Sequence, residues 1–596
     1  MDRNSAIGLL LIGLILFVYF YYFNPTPPEG ETPALTEQQA PVQIKETPTT
    51  QEVGIEDSVT NQELGSIASV MNGKKELKQI ENEDLIISFS NLGGTIDQIE
   101  LKNFKTYTKQ PLVLASQKSH SFSLLASFQG KEIDLYNIFY EESTRNIKDT
   151  TLVTYTAKIE NGTLKHHYAI PTSGYEIKYW IESTGLNFGN QNLTYQWRDR
   201  IPKLEKDIID ARNKTAINYY LPHDDDFDGL SETSMDPESE VLMTPVQWVA
   251  IKQKFFVNSI IAKNNFSGGE ISTTVNQADT STVKDAKVKL FIPTEQLANN
   301  QAHFRYYFGP LDHKILKGVA PEFSRNLYLG WPPVLWVNKF LIIPIFKFLE
   351  RFIGNYGVII IILVLAVKIL LTPLSYKSYM GMAKMKLLKP ELDVIKEQFG
   401  DDMSKVQQEQ MKLYQQAGVN PFSGCIPLVL QMPILFAMFY FFPVSIELRQ
   451  QPFLWADDLS TYDSIMTLPF TIPLYGSHVS LFVLLMTAST IIYTWQNNQI
   501  SSVQGPMKSM SYIMPVIFMF VLNSFSAGLS FYYFVSNLVT FGQQAIIKKF
   551  VDEDKIKNVM DEHKKKMASG TGKKSGFMAR LEGAMKASQE ARDKKK

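Results

Sequence analysis

Residues 354–375 read GNYGVIIIILVLAVKILLTPLS. About twenty apolar residues cross a hydrocarbon core of roughly 30 Å as a helix, so this run predicts a membrane span. It holds one charge, Lys368. A cation at the centre of a span costs about 2.5–3.5 kcal/mol on insertion scales, and such a group faces protein, water or a partner. Position alone leaves two readings open. Either the lysine stem reaches past Thr372 and Pro373 to the headgroups, or the ammonium sits in a hydrated interior.

The 596 residues imply at least two domains. Mean hydropathy is only −0.10 although apolar residues cluster in long runs, which suggests a polar domain joined to a membrane domain. The net charge of −1 averages over an acidic front and a basic tail. The single cysteine, Cys425, excludes an intrachain disulfide framework and reads as a packing residue.

Upstream, Ala6–Phe23 is apolar and follows Arg3, with no small-residue cleavage site before Asn24-Pro25. Residues 1–23 therefore read as an uncleaved anchor with a cytoplasmic N-terminus. Residues 24–75, rich in Pro, Glu, Gln and Thr, read as a disordered tether. From 76 to 325, short alternating runs such as Leu85–Phe89, Thr151–Tyr155 and Glu176–Ile181 lie between turn signals such as Gly93-Gly94 and Asn161-Gly162, which predicts a large β-sandwich. Its Asp224-Asp225-Asp226-Phe227-Asp228-Gly229 resembles the start of a calcium loop. Met235 stands where the bidentate glutamate belongs, so it reads as an acidic turn and no metal is expected.

Residues 331–352 (WPPVLWVNKFLIIPIFKFLERF) are apolar, aromatic and interrupted by charge, with Pro344 expected to break the helix. Trp331 and Trp336 suit a headgroup boundary, so an interfacial helix is favoured over a span. Beyond Pro373, residues 376–419 have helical spacing and many lysines. They predict a cytoplasmic hairpin of two helices joined near Gly400-Asp401, with Asp401 or Asp402 as cap and Gly418 as terminator. Its Met380, Met382 and Met385, among Lys384, Lys386 and Lys389, offer an adaptable apolar and basic surface; the bland reading is a solvated hairpin.

Three more apolar zones follow, Pro421–Val444, Val479–Trp495 and Met510–Ile547, the last broken at 523–528. With the anchor and the Lys368 segment they make six spans, both termini inside, a core over 353–547 and a basic cytoplasmic tail over 548–596. The spans carry Gln431, Thr487, Ser489, Thr490, Tyr532, Tyr533, Ser536, Asn537, Gln543 and Gln544. Tyr533, Asn537 and Gln544 share one helix face. These groups are either glue between helices or the lining of a wet cavity facing Lys368. There is no H-E-x-x-H and no G-x-S-x-G, and no histidine falls within a span, so no enzyme and no cofactor are expected. Gly570–Ser575 lacks the residues of a phosphate loop and reads as a flexible basic tail.

Several stretches carry a resemblance: MAKMKLLKPEL, LYQQAGVNPFSGCIPLVLQMPI, SIELRQQPF, MPVIF and FSAGLSFYYFVSNLVTFGQQ. Over Trp331–Lys549 the chain resembles the YidC membrane protein insertases of the Oxa superfamily. More weakly, the domain ahead of it, through WVAIKQKFFVNSII (248–261), resembles the periplasmic β-supersandwich of their Gram-negative members. The resemblance implies a multi-domain membrane protein. A polytopic helical domain of six spans with a five-helix insertase core follows a periplasmic segment over 24–330, in the inner membrane with both termini cytoplasmic. It implies a hydrophilic groove formed by Lys368, Thr372, Gln431, Tyr532, Tyr533, Ser536 and Asn537, and capture of the nascent chain by the cytoplasmic hairpin through Met380, Met382, Lys384, Met385, Lys386 and Lys389. Lysine stands at 368 where the family usually has arginine, which keeps the charge but loses the bidentate fork. Implied partners are nascent membrane proteins, the Sec translocon, the bilayer and, through the basic tail, the ribosome. The rival reading is a solute transporter or channel with an intramembrane cation site; no inverted hydropathy repeat supports it.

Overall fold

The computed structural model describes residues 52–53, 67–400, 402–420, 426–500 and 506–569. The expected anchor 1–23, most of the tether, Cys425 and the end of the basic tail lie outside the described residues. Two units are present, one ending at Tyr328 and one beginning at Leu329.

The first unit is built mainly from antiparallel sheets of nine, six and four strands, with a further two-stranded pair among the described residues. Alternation explains the larger two. In Thr150–Ile159, Val153, Tyr155, Ala157 and Ile159 point inward. In Leu193–Pro202, the inward set is Leu193, Tyr195, Trp197, Asp199 and Ile201. The expected strands at 85–89, 151–155 and 176–181 are all present. Trp248, from the segment that carried the weaker resemblance, is buried and donates its Nε1 proton to the Pro321 carbonyl at 3.0 Å. The acidic run begins in a turn at Asp224 and Asp225, where Asp225 accepts from the Tyr220 hydroxyl at 2.7 Å, and continues along Asp226–Gly229, an edge strand beside Ala216–Leu221.

The tether reading needs one correction. Gly73–Lys74 pairs with Glu52–Val53, and the buried Ile67 opens a short helical turn whose Val70 carbonyl accepts from Phe139 N at 2.7 Å. Gly73 lies so close to the Phe139 ring that a Cβ would come within 2.7 Å of it. One buried apolar side chain, one backbone hydrogen bond and one glycine thus bind the end of an otherwise polar segment to the sandwich.

Asp199 is the anomaly in this core. It is fully buried and accepts one bond, from Asn258 Nδ2 at 3.2 Å across the sandwich, while its Oδ1 and the Asn258 Oδ1 have no partner. Burial pushes its carboxyl up to about 7, with Asp285 adding to the rise. A carboxyl raised on folding is stabilising only while protonated, so stability falls as pH climbs from about 4 through about 7. Asp199→Asn is therefore expected to stabilise the sandwich at pH 8 by about 4 kcal/mol, with the difference vanishing near pH 4. Urea denaturation followed by tryptophan fluorescence at the two pH values measures it; equal midpoints at pH 8 would contradict it.

The second unit is helical. Its helices are α1 (Pro332–Val337), α2 (Ile343–Glu350), α3 (Tyr356–Leu387), α4 (Lys389–Phe399), α5 (Met403–Ala417), α6 (Ile426–Phe441), α7 (Leu481–Ile500), α8 (Pro506–Leu522), α9 (Ala527–Phe550) and α10 (Glu553–Ala568). Pro344 does not break the first of these. A π-turn at Asn338–Ile342 joins α1 to α2, just where the missing proline N–H would leave a carbonyl free. Val334, Ile342 and Phe346 pack inward, while Trp336, Phe340 and Phe348 remain exposed. Among the described residues, Pro332–Glu350 and Tyr356–Leu387 are the helices both long and apolar enough to cross a bilayer. The other expected spans are helical but shorter, as in α6 and α8, or richer in polar groups, as in α7 and α9.

The hairpin also differs from expectation. Its first half is not a separate helix. α3 runs unbroken through Pro373 to Leu387, and the break comes at Leu388 because Pro390 opens α4. Asp402 caps α5, accepting from Lys405 N at 3.2 Å, and Gly418 at φ +66° ends it.

Candidate functional site: a polar seam beside Lys368

α3 starts at Asn355, whose side chain accepts from Val358 N at 3.1 Å. Gly357 then lets the Phe453 ring lie directly on the helix; a Cβ there would be 2.1 Å from it. That contact sets the rotation of α3. Ile369 and Leu370 are 70% and 61% exposed, whereas Val367 and Lys368 are turned inward, with Lys368 only 8% exposed. The lysine therefore faces the bundle, not the surface of α3.

The turn after it is polar by construction. Thr372 donates its hydroxyl to the Lys368 carbonyl at 2.9 Å. Gln543 of α9 donates to the same carbonyl at 3.3 Å and to Thr372 Oγ1 at 2.9 Å. Pro373 has no N–H, so the helix is short of one internal bond here. Gln543 thus ties α9 to α3 at the level of Lys368. Further along α9, Asn537 Nδ2 donates to Ser489 Oγ and Thr490 Oγ1 of α7, both at 2.9 Å.

A different set is left unsatisfied. The Lys368 ammonium, the Tyr532, Tyr533 and Ser536 hydroxyls and the Gln431 amide have no hydrogen-bond or ion-pair partner among the described residues. Lys368, Tyr532 and Ser536 are nonetheless buried, and their polar atoms still keep accessible surface. Gln431 is half-buried on α6, which packs on α3.

The end of the bundle where α3, α7 and α9 begin is closed. Phe453 and Phe482 pack on Phe531 as tilted rings with centroids 4.9 and 5.2 Å away, and Trp455 covers Phe482 at 4.3 Å. Asp463 is buried among them. It accepts from Trp455 Nε1 at 2.8 Å, from Leu481 N at 2.9 Å, from Phe482 N at 3.1 Å and from the Ser480 hydroxyl, so it caps α7. Asn523 accepts from Ser480 N at 3.0 Å and donates to the Tyr475 and His478 carbonyls at 2.8 and 2.7 Å.

Known proteins resolve what this arrangement is similar to. The family model described as the YidC periplasmic domain matches residues 78–347, and that described as the 60Kd inner membrane protein matches residues 348–555. A membrane protein insertase YidC of Amoebophilus asiaticus is 44% identical over 604 residues, covering 100% of both chains. The chain belongs to the YidC membrane protein insertase family. A second YidC, of Cytophaga hutchinsonii, is 44% identical over 623 residues, covering 100% of this chain and 99% of its own. A crystal structure of an active YidC insertase aligns with 78% of this chain and 94% of its own, at 17% identity and a TM-score of 0.32.

For a YidC-family chain, the other end of the bundle holds the hairpin. There the structure adds an element that the sequence reading treated as plain basic tail. α10 lies on α5 and the end of α3, burying Ile556 and Met560 in a cluster with Leu388, Leu392, Leu413 and Tyr414. Lys386 pairs with Glu553 at 2.9 Å, and Glu391 with Lys564 at 2.5 Å. Met380 and Met385 pack into the same cluster, Met382 and Lys384 are half-buried, and Lys389 is exposed. The seven expected groove residues therefore divide. Lys368, Tyr532, Tyr533, Ser536 and Gln431 are the unpaired set, Thr372 is bonded to its own helix and Gln543, and Asn537 links α9 to α7. Gln543 was visible only as one of many polar residues in a span.

Proposed function

We propose that this chain inserts nascent membrane proteins through a water-filled groove centred on Lys368, without a nucleotide, a cofactor or any catalytic chemistry. The observation that carries the reading is the unpaired polar set. Inside a membrane, hydroxyls, an amide and an ammonium without protein partners require water or a guest to bond to. A hydrated pocket beside a fixed positive charge lowers the cost of bringing a polar, acidic outer segment partway across. The packed aromatic and Asp463 end keeps that water on one side. The substrate's apolar part then leaves sideways into lipid, driven by about 25 cal/mol per Å² of buried apolar surface.

In this reading six spans cross the inner membrane, with residues 24–330 periplasmic and both termini cytoplasmic. The lysines of the hairpin support that orientation. Lysine at 368 suffices because the mechanism asks for charge and hydration and not for a planar fork. The Sec translocon as a partner, and the ribosome at the basic tail, follow from the family resemblance.

Reconstitution tests the proposal. Purified protein in liposomes is expected to insert a small coat-type protein without ATP and to pass no small solutes. Solute flux without insertion would favour the transporter reading.

A further inference from the structure

We infer that the apolar face of the cytoplasmic hairpin is a helix-docking groove, that α10 is its resident occupant, and that an apolar helical segment of a nascent membrane protein takes its place. This deepens the insertase reading and rests on it. The groove floor is Leu388, Leu392, Leu413 and Tyr414, with Ala417 and Val419 at one end. What covers it is already a helix, so the shape fits one. α10 holds on by few contacts, one of them His563, whose Nδ1 bonds the Gln416 carbonyl at 3.0 Å with its ring against Gly418. Of its residues EDKIKNVMDEHKKKMA, Ile556 and Met560 are its buried apolar anchors, one turn apart, while Val559 points out. The flanking pairs Lys386–Glu553 and Lys564–Glu391 are partly exposed, and exposed pairs contribute little and are screened by salt.

A segment with apolar residues over three or more turns offers the groove more than α10 does. The groove can adapt to it, because Met380, Met385 and Met411 line its margin and unbranched thioethers repack around different shapes. The pivot for departure of α10 is Val551, which joins it to α9 in an extended conformation and itself packs against the edge of the cluster. The tail helix is thus a stand-in that keeps an apolar groove covered between substrates.

The test uses the full chain in lipid nanodiscs and a fluorescein-labelled 18-residue amphipathic peptide with leucines at i, i+4, i+7 and i+11. Binding is read by anisotropy above that of empty nanodiscs. The Ile556→Asp/Met560→Asp double variant is expected to bind the peptide at least tenfold more tightly than wild type. Truncation after Val551 is expected to reproduce the gain, and adding Leu413→Asp to abolish it. Unchanged or weaker peptide binding in both the double variant and the truncation overturns the inference. Lys368→Ala separates the two proposals, because it is expected to lower insertion and leave peptide binding unchanged. Peptide binding that behaves as expected in a protein that inserts nothing counts against the insertase reading alone.

Discussion

Lys368→Ala is expected to lower ATP-independent insertion about tenfold, equivalent to about 1.4 kcal/mol, while Lys368→Arg stays within about twofold of wild type. The reasoning is geometric. Lys368 is turned into the bundle, and no carboxylate or hydrogen-bond acceptor pairs with its ammonium among the described residues. Its charge is therefore available to water and to an acidic guest. Alanine removes that charge but leaves intact the Gln543 bonds, which end on the Lys368 carbonyl and on Thr372. The fold should survive, so a loss of insertion reports the charge. Arginine restores a cation of similar reach. The assay is protease protection of a coat-type substrate in proteoliposomes, and wild-type activity in the alanine variant would remove the basis for a charged groove.

Asp463→Ala is expected to destabilise the helical unit by about 3 kcal/mol, the order of magnitude for leaving neutral donors without the charged acceptor they shared. Four donors converge on this carboxylate, and two are the first backbone N–H groups of α7. Without it those donors lose their acceptor, and α7 keeps only the cap from Ser480, whose hydroxyl accepts from Val483 N at 3.1 Å. Thermal unfolding in detergent should show the loss, together with faster protease cleavage between Leu459 and Leu481. Asp463→Asn should fall between the two, since an amide oxygen still accepts but without charge. Retention of the wild-type midpoint in the alanine variant would mean that the aromatic cluster alone closes this end.

Much of this was legible in the sequence, for identifiable reasons. One cation in twenty-two otherwise uncharged residues marks Lys368 unambiguously. Period-two alternation marks the sandwich strands, because one face of each is buried. What periodicity does not carry is the choice of neighbour. Asn537 and Gln543 both read as polar residues on α9, yet the first bonds α7 and the second α3. Tyr533, Asn537 and Gln544 share a face by spacing, but a helix among several neighbours divides its contacts among them. The docking of α10 was invisible for a related reason. Two apolar residues within a strongly charged stretch give almost no pattern, and charge runs ordinarily read as solvated. The π-turn before Pro344 was equally hidden, since proline predicts a missing bond and not how the helix absorbs it.

The continuity of α3 sets a length scale. From Lys368 to Leu388, the first floor residue of the hairpin groove, is twenty residues of helix, or about 30 Å at 1.5 Å per residue. An extended chain covers that distance in about nine residues. Nothing in α3 between the two points folds back, so the spacing acts as a fixed ruler. A client lying in the groove with fewer than about nine residues to spare cannot present its leading end to the ammonium. Short hydrophilic leaders should therefore have to release the groove first, whereas longer ones can span both sites at once.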